Sequence, residues 1–523
     1  MTATARTGPH PMESGSSPIG RFARRPYAGS VSRIFAALAA GLLAAAIPVA
    51  MPSATADSGL DRFYGQHLEW KSCDDPGLDK AGAQCADVTV PLNYAQPQGK
   101  TITVAISRLA ADPATRRGVL LSNPGGPGGP GLDMTVELGK AMTPRVRASY
   151  DLIGMDPRGI GRSSVVNCHW PRGFGLQSAG PTLASYAESV AAQADLAARC
   201  FAAEGERIRY ITTRNTARDM DVIRGALGAE RINYFGVSYG TYLGAVYTQM
   251  FPDRSDRIVL DSSVDPDRYA AGDNSQMGPA NEAAFDLWAG WAAEHDGDYH
   301  LGTTVEQVRG FVADLLRRAA ASPIRVGRLS IGVHDLPVVL FQQLNDPRNY
   351  HALAETVRRF ADAADGKPVT LAPGLTDMLT QLLNAEPTDL SPQTAVMCGD
   401  VEADRDPQSY WRTIESVRAT QPLFGAFVNN ITPCAFWAAP IEPKTVIDNS
   451  VPALIVQSTG DTRTAYAGAQ AMHRDLKASR MVTLQDVAVH GLFANYPAPC
   501  VDNAVNTYFA TGALPATDTT CTG

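Results

Sequence analysis

Several features that would assign a function quickly are missing from this 523-residue chain. No run of Lys/Arg or basic tail exists, and acidic residues outnumber basic ones 53 to 45. An acidic surface repels phosphate backbones, so nucleic acid is excluded as a partner. No Cys-x-x-Cys pair occurs among the eight cysteines, which disfavours a Cys₄ metal site. The apolar stretch Ile34 to Ile47 is about 14 residues long, short of the roughly 20 needed to cross a bilayer, so no stable membrane span is expected. No internal repeat is visible. The one long glycine cluster is not followed by Gly-Lys-Ser/Thr, and its prolines remove amide donors, which argues against a phosphate-binding loop.

What is present suits a large enzyme with an exported life. A composition 45% hydrophobic and 19% charged can bury a full core. Arg21, Arg24, Arg25 and Arg33 precede the apolar stretch, which is broken by Pro48 and followed by Ala54-Thr55-Ala56. That order reads as a signal peptide, residues 1–56, cleaved after Ala56; Arg24-Arg25 leaves twin-arginine export as a second route. Residues 1–56 hold five arginines and one glutamate, so their loss moves the net charge from −8 to −12. All eight cysteines lie beyond them, an even number suited to disulfides in an oxidising compartment. The sequence leaves the connectivity open; because short loops close readily, the expected pairs are Cys73–Cys85, Cys168–Cys200, Cys398–Cys434 and Cys500–Cys521.

The chemistry centres on Gly236-Val-Ser-Tyr-Gly240, set between the β-like run Ile232 to Phe235 and a helix-like run from Thr241. Small residues two before and two after a serine let the backbone turn sharply and lift the hydroxyl clear of a sheet, the nucleophile elbow of serine hydrolases. In such folds an acid follows on a later strand and a histidine comes last. Pro452 to Asp461 reads as a buried strand ending in a carboxylate, and Met481 to Val489 as the next strand, closing at His490. Ser238, Asp461 and His490 are therefore the candidate nucleophile, acid and base. His473 is the rival base, but it falls within the helix-like stretch Ala465 to Leu476. Asp461 as a turn former and His490 as an ordinary core histidine are the competing structural roles. A serine at the elbow disfavours dehalogenases and epoxide hydrolases, which place Asp there. A binding protein on a degenerate hydrolase fold is disfavoured because no triad member is missing.

Acyl transfer also needs donors for a developing oxyanion. The cluster Gly118-Val-Leu-Leu-Ser-Asn-Pro-Gly-Gly-Pro-Gly-Gly-Pro-Gly131 follows an apolar strand and supplies them: an N–H of Gly125 or Gly126 paired with that of Tyr239.

Three glycine motifs in order, Asn123-Pro-Gly-Gly-Pro-Gly128, Gly154-Met-Asp-Pro-Arg-Gly-Ile-Gly-Arg-Ser163 and Gly236-Val-Ser-Tyr-Gly-Thr-Tyr-Leu-Gly244, resemble the proline iminopeptidase branch of the α/β-hydrolases. Within it the chain is most similar to the secreted tripeptidyl aminopeptidases, through Trp70 and Cys73, through Asp261-Ser-Ser-Val-Asp-Pro266 and through the Asp461 to His490 tail. The resemblance implies the same triad. The chain departs from the branch at Pro124, where proline iminopeptidases carry His, and at Ala465, where relatives often have Pro.

Alternating strand and helix patterns predict an α/β-hydrolase fold: a mostly parallel, doubly wound sheet with an inserted, mostly helical cap. Expected strands are 88–92, 102–109, 119–122, 151–155, 232–237, 258–260, 454–458 and 481–489. The predicted divisions are 57–265 for the first part of the core with the elbow, 266–443 for the cap and 444–523 for the rest of the core with Asp461 and His490. Enzymes that cut from a free amino terminus must hold an ammonium group, and Asp400 and Glu402 in the cap, beside Cys398, are the candidate anchors. Arg158 is expected to tie loops together, and at least one of Asp219 and Asp221 to be structural. The reading is a secreted serine exopeptidase that removes short peptides, above all tripeptides, from peptides or proteins with free N-termini through an acyl-enzyme. It needs no cofactor and no metal, and a monomer is favoured. A secreted carboxylesterase or lipase and a proline iminopeptidase are the alternatives on the same triad.

Overall fold

Strand formation follows the apolar runs closely. The computed structural model describes residues 59–384 and 390–522; the leader predicted over residues 1–56 lies outside the described residues. The strands of the main sheet are β1 (Gln84–Pro91), β2 (Thr101–Leu109), β3 (Gly118–Asn123), β4 (Tyr150–Met155), β5 (Ile232–Val237), β6 (Ser255–Asp261), β7 (Ala453–Ser458), β8 (Arg480–Gln485) and β9 (Thr519–Thr522). They form one nine-stranded sheet in the order β1-β2-β4-β3-β5-β6-β7-β8-β9. Pairing is antiparallel from β1 to β2 and from β2 to β4, and parallel thereafter.

Parallel strands covered on both faces read as continuous apolar runs, and successive side chains point to opposite faces. In β3, Val119 and Leu121 enter one core with Ala217, Met220, Val246 and Met472, while Leu120 enters the other with Leu138, Val146, Val501 and Phe509. β6 divides alike, with Ile258 and Leu260 on the first side and Val259 on the second. Helices Thr213–Ala226 and Tyr239–Met250 cover the first face and Pro499–Thr511 the second.

Between β6 and β7 the chain builds a helical insertion with its own core around Phe285, Trp288, Phe360 and Phe424. Its helices include Val305–Ala321, whose Val308, Val312, Leu315 and Ala319 form one buried stripe, and Tyr350–Ala364. A small hairpin, Ile324–Val326 with Leu329–Ile331, interrupts them.

Three features depart from the sequence reading. The eighth strand stops at Gln485 rather than Val489, because Asp486 adopts φ 60 and turns the chain out of the ladder. A ninth strand, too polar to read as one, lies beside β8 and is anchored by Cys500–Cys521. The roof over the sheet also has a second source, the segment after β4. Phe174 N–H donates to Leu382 O at 3.2 Å, Ser178 N–H to His334 O at 3.0 Å and Ala179 N–H to Ala426 O at 2.8 Å, which stitches that segment to the insertion. The other disulfides join Cys73 to Cys85, Cys168 to Cys200 and Cys398 to Cys434. Among the described residues no helix is long and apolar enough to cross a membrane.

Candidate active site

Ser238 stands between β5 and the helix Tyr239–Met250 with φ 58 and ψ −127. A non-glycine residue in that region is strained and persists only where its surroundings enforce it. Here the Ser238 N–H donates to Asp261 O of β6 at 2.9 Å, and the Ser238 carbonyl accepts from Thr241 N–H at 2.8 Å and from Thr241 Oγ1 at 2.6 Å. A Cβ at Gly236 would lie 2.4 Å from Gly240 O, and one at Gly240 2.6 Å from Asn123 O. Both elbow glycines are thus required by close backbone contact.

Asp461 and His490 meet although they come from different loops. His490 Nδ1 lies 2.9 Å from each Asp461 carboxylate oxygen. That contact assigns the Nδ1 proton to the carboxylate side and leaves Nε2 as the acceptor. Asp461 also accepts from Arg463 N–H at 2.8 Å, Thr464 N–H at 3.0 Å and Thr464 Oγ1 at 3.0 Å. Burial raises its pKa, but the charge and hydrogen bond of His490 and the two backbone donors outweigh that and hold the carboxyl below its ordinary value. His490 and Ser238 both line a cavity of about 380 Å³ beneath the insertion, within the range of roughly 300–1,000 Å³ usual for small-ligand sites. Its walls include Phe174 from the segment after β4, and Met277, Phe341 and Phe427 from the insertion.

The glycine-rich loop after β3, the candidate source of oxyanion donors, presses against the elbow, since a Cβ at Gly125 would lie 2.4 Å from Val237 O and 2.9 Å from Ser238 Cβ. Gly125 nevertheless fails as a donor, because its N–H is already spent on Asn123 Oδ1 at 3.0 Å. Gly126 and Tyr239 line the cavity and Gly125 does not.

Comparisons with known proteins identify the family. Residues 118–318 match the family model described as alpha/beta hydrolase fold, and residues 421–521 that described as TAP-like protein. A tripeptidyl aminopeptidase of Streptomyces coelicolor is 36% identical over 87% of this chain and 86% of its own. The chain belongs to the tripeptidyl aminopeptidase family of α/β-hydrolases. It is also similar to serine protease Hip1 of Mycobacterium tuberculosis, 27% identical over 96% of this chain and 99% of that protein. Carboxylesterase B of the same organism is 29% identical over 95% and 98%. The chain is accordingly a serine hydrolase.

In this member of the tripeptidyl aminopeptidase family, the two acids expected to anchor an amine stand elsewhere. Glu402 faces solvent with its side chain 62% exposed, 3.6 Å from Arg405. Asp400 is buried outside the cavity lining. It accepts from Thr213 N–H at 2.7 Å, Thr213 Oγ1 at 2.5 Å and Tyr269 Oη at 3.1 Å. The Thr213 hydroxyl also meets Tyr239 Oη at 2.6 Å. Asp400 therefore braces the two tyrosines of the cavity wall from behind. His473 bonds Ser479 Oγ at 2.6 Å and Asp518 at 3.2 Å, and does not line the cavity.

Sequence reasoning missed Asp261 and Ser262 as part of the site. Both Asp261 oxygens accept the Leu492 N–H at 3.0 Å, Oδ2 also accepts Phe493 N–H at 2.8 Å, and Ser262 Oγ accepts Gly491 N–H at 2.8 Å. The end of β6 thus grips the loop that carries His490. A buried acid at a strand end, directly followed by Ser-Ser, was the available signal.

Burial pushes the Asp261 and Asp400 carboxyls up to about 7, against the pull of their hydrogen-bond donors. The native state therefore holds protons that the unfolded chain, titrating near 4, has already released. The stability these groups contribute is complete below about pH 4 and is lost as the pH rises through 7. Lowering the pH from about 8 to about 6 should raise Tm; a constant or falling Tm across that step would contradict these assignments.

Proposed function

We propose that the protein is an exported serine exopeptidase that releases tripeptides from unblocked amino termini through an acyl-enzyme. The observation that carries the reading is a strained serine in a small cavity roofed by the insertion, whose lining also includes a histidine held by a buried carboxylate. Such a cavity favours the end of a chain over its middle. Ser238 Oγ attacks the scissile carbonyl while His490 Nε2 takes its proton; Asp461 orients the ring and stabilises the imidazolium. The N–H groups of Gly126 and Tyr239 hold the oxyanion. His490 then protonates the leaving amine, and water hydrolyses the acyl-enzyme by the same relay.

Among the described residues no carboxylate lines the cavity. Recognition of the ammonium falls to neutral acceptors, of which Asn430 Oδ1 is the best suited. That oxygen is buried without a partner, while Nδ2 donates to Gln177 O at 2.8 Å and Ser189 Oγ at 2.7 Å. Four disulfides fit export to an oxidising compartment.

The mostly apolar walls, with no acid among the described lining residues, favour one second reading, a carboxylesterase. Chromogenic tripeptides with free and acetylated amino termini, beside a short acyl ester, separate the two. The exopeptidase should cleave the free-amine peptides at least about tenfold better in kcat/KM, a difference of roughly 1.4 kcal/mol; indifference to acetylation with dominant ester turnover would favour the esterase.

A further inference from the structure

Arg463 is a cation without a counterion in a place where a substrate would supply one. It sits between Asp461 and Thr464 and lines the cavity shared by Ser238 and His490. Its guanidinium carbon lies 3.4 Å from the centroid of the Phe341 ring, and Nη2 donates to Phe341 O at 2.7 Å. Nη1 is buried with no hydrogen-bond partner. The carboxylate whose charge it feels, Asp461, is occupied by His490, Thr464 and the Arg463 backbone N–H. No carboxylate among the described residues forms an ion pair with it, and burial pushes its guanidinium down to about 9.

A buried charge without a counterion is unfavourable, and a carboxylate that enters with the substrate supplies one. Among the described lining residues Arg463 is the one side chain with a fixed charge, so the part of the cavity beside it favours an anionic group of the substrate. Stacking on Phe341 fixes the plane of the guanidinium, which suits bidentate recognition of a carboxylate better than a mobile lysine would.

Resting on the exopeptidase reading, we propose that Arg463 is a specificity-determining residue that binds a carboxylate of the substrate, in first place an Asp or Glu side chain of the released peptide. The other source of the same chemistry is the C-terminal carboxylate of a short leaving peptide.

The test measures kcat/KM for free-amine tripeptide anilides carrying Glu or Gln at each position in turn, and for tetrapeptides ending in free acid or amide. Wild type should prefer Glu over Gln by about tenfold or more at one position, chiefly through KM. A preference confined to the free-acid tetrapeptides would assign the site to the leaving peptide instead. In Arg463→Gln the acid-to-amide ratio should collapse to near one, and Arg463→Lys should restore part of it. The ratio is internal to each variant, so a general loss of activity does not mask it. Equal ratios in wild type at every position overturn the proposal even if neither variant folds. If no anilide is cleaved, the exopeptidase reading has failed; Arg463 is then tested by inhibition of ester turnover, where free Ala-Glu-Ala should bind about tenfold better than Ala-Gln-Ala, and equal inhibition overturns it.

Discussion

Ser238→Ala is expected to lower kcat on a cleaved tripeptide anilide by about a millionfold, to the residual level that binding and oxyanion donors alone sustain. The size of the loss follows from the roles in the site. Without Oγ the His490–Asp461 pair has no nucleophile to activate, so adding His490→Ala to the serine variant should cost almost nothing further. Asp461→Asn acts by another route, holding the imidazole in the wrong tautomer, and should cost about 10⁴-fold. The fold should survive Ser238→Ala, because the bonds that hold position 238 are made by its backbone N–H and carbonyl. Unchanged Tm together with lost turnover is the expected pair of results; activity within tenfold of wild type would remove Ser238 from the nucleophile role.

Arg158→Met should be the most damaging change outside the site. Arg158 and Asp219 are both fully buried, joined by Nε to Oδ2 at 2.7 Å and Nη2 to Oδ1 at 2.5 Å. Arg158 also donates to the carbonyls of Leu92, Tyr210 and Pro91, and Tyr94 Oη donates to Asp219 at 2.7 Å. These bonds join the loop after β1, the loop after β4 and the helix Thr213–Ala226. Removing one partner strands a buried charge, at a cost of about 3–5 kcal/mol. The expected result is a lower urea midpoint with kcat per folded molecule retained, and partial recovery in Arg158→Met/Asp219→Leu. An unchanged midpoint in the single variant would show that the pair carries no net stability.

The parts of this architecture that were legible in the sequence are those whose physics is local. Buried parallel strands such as 119–122 and 454–458 are apolar runs, and the elbow needs glycine at fixed offsets. The order of Ser238, Asp461 and His490 comes from the fold's topology, which those strands reveal. What stayed hidden depends on contacts between distant residues. Thr519 to Thr522 becomes a strand because β8 and a disulfide hold it, not because its side chains demand one. Asp261 resembles any acid at a strand end until Leu492 and Phe493 arrive above it. Asp400 and Glu402 are neighbours in the sequence, yet the helix Ser391–Asp400 ends between them, turning one inward to Thr213 and the other to solvent. Gly125 and Gly126 are adjacent as well, and only the folded loop reveals that Asn123 consumes one of the two amides.

The most direct measurement is the mass of the products formed by the protein from an unblocked linear peptide of about ten residues. Successive release of three-residue fragments from the amino terminus is expected, abolished by acetylating that terminus and by Ser238→Ala. Release of single residues, internal cuts, or ester turnover with the peptide left intact would contradict the tripeptidyl exopeptidase reading.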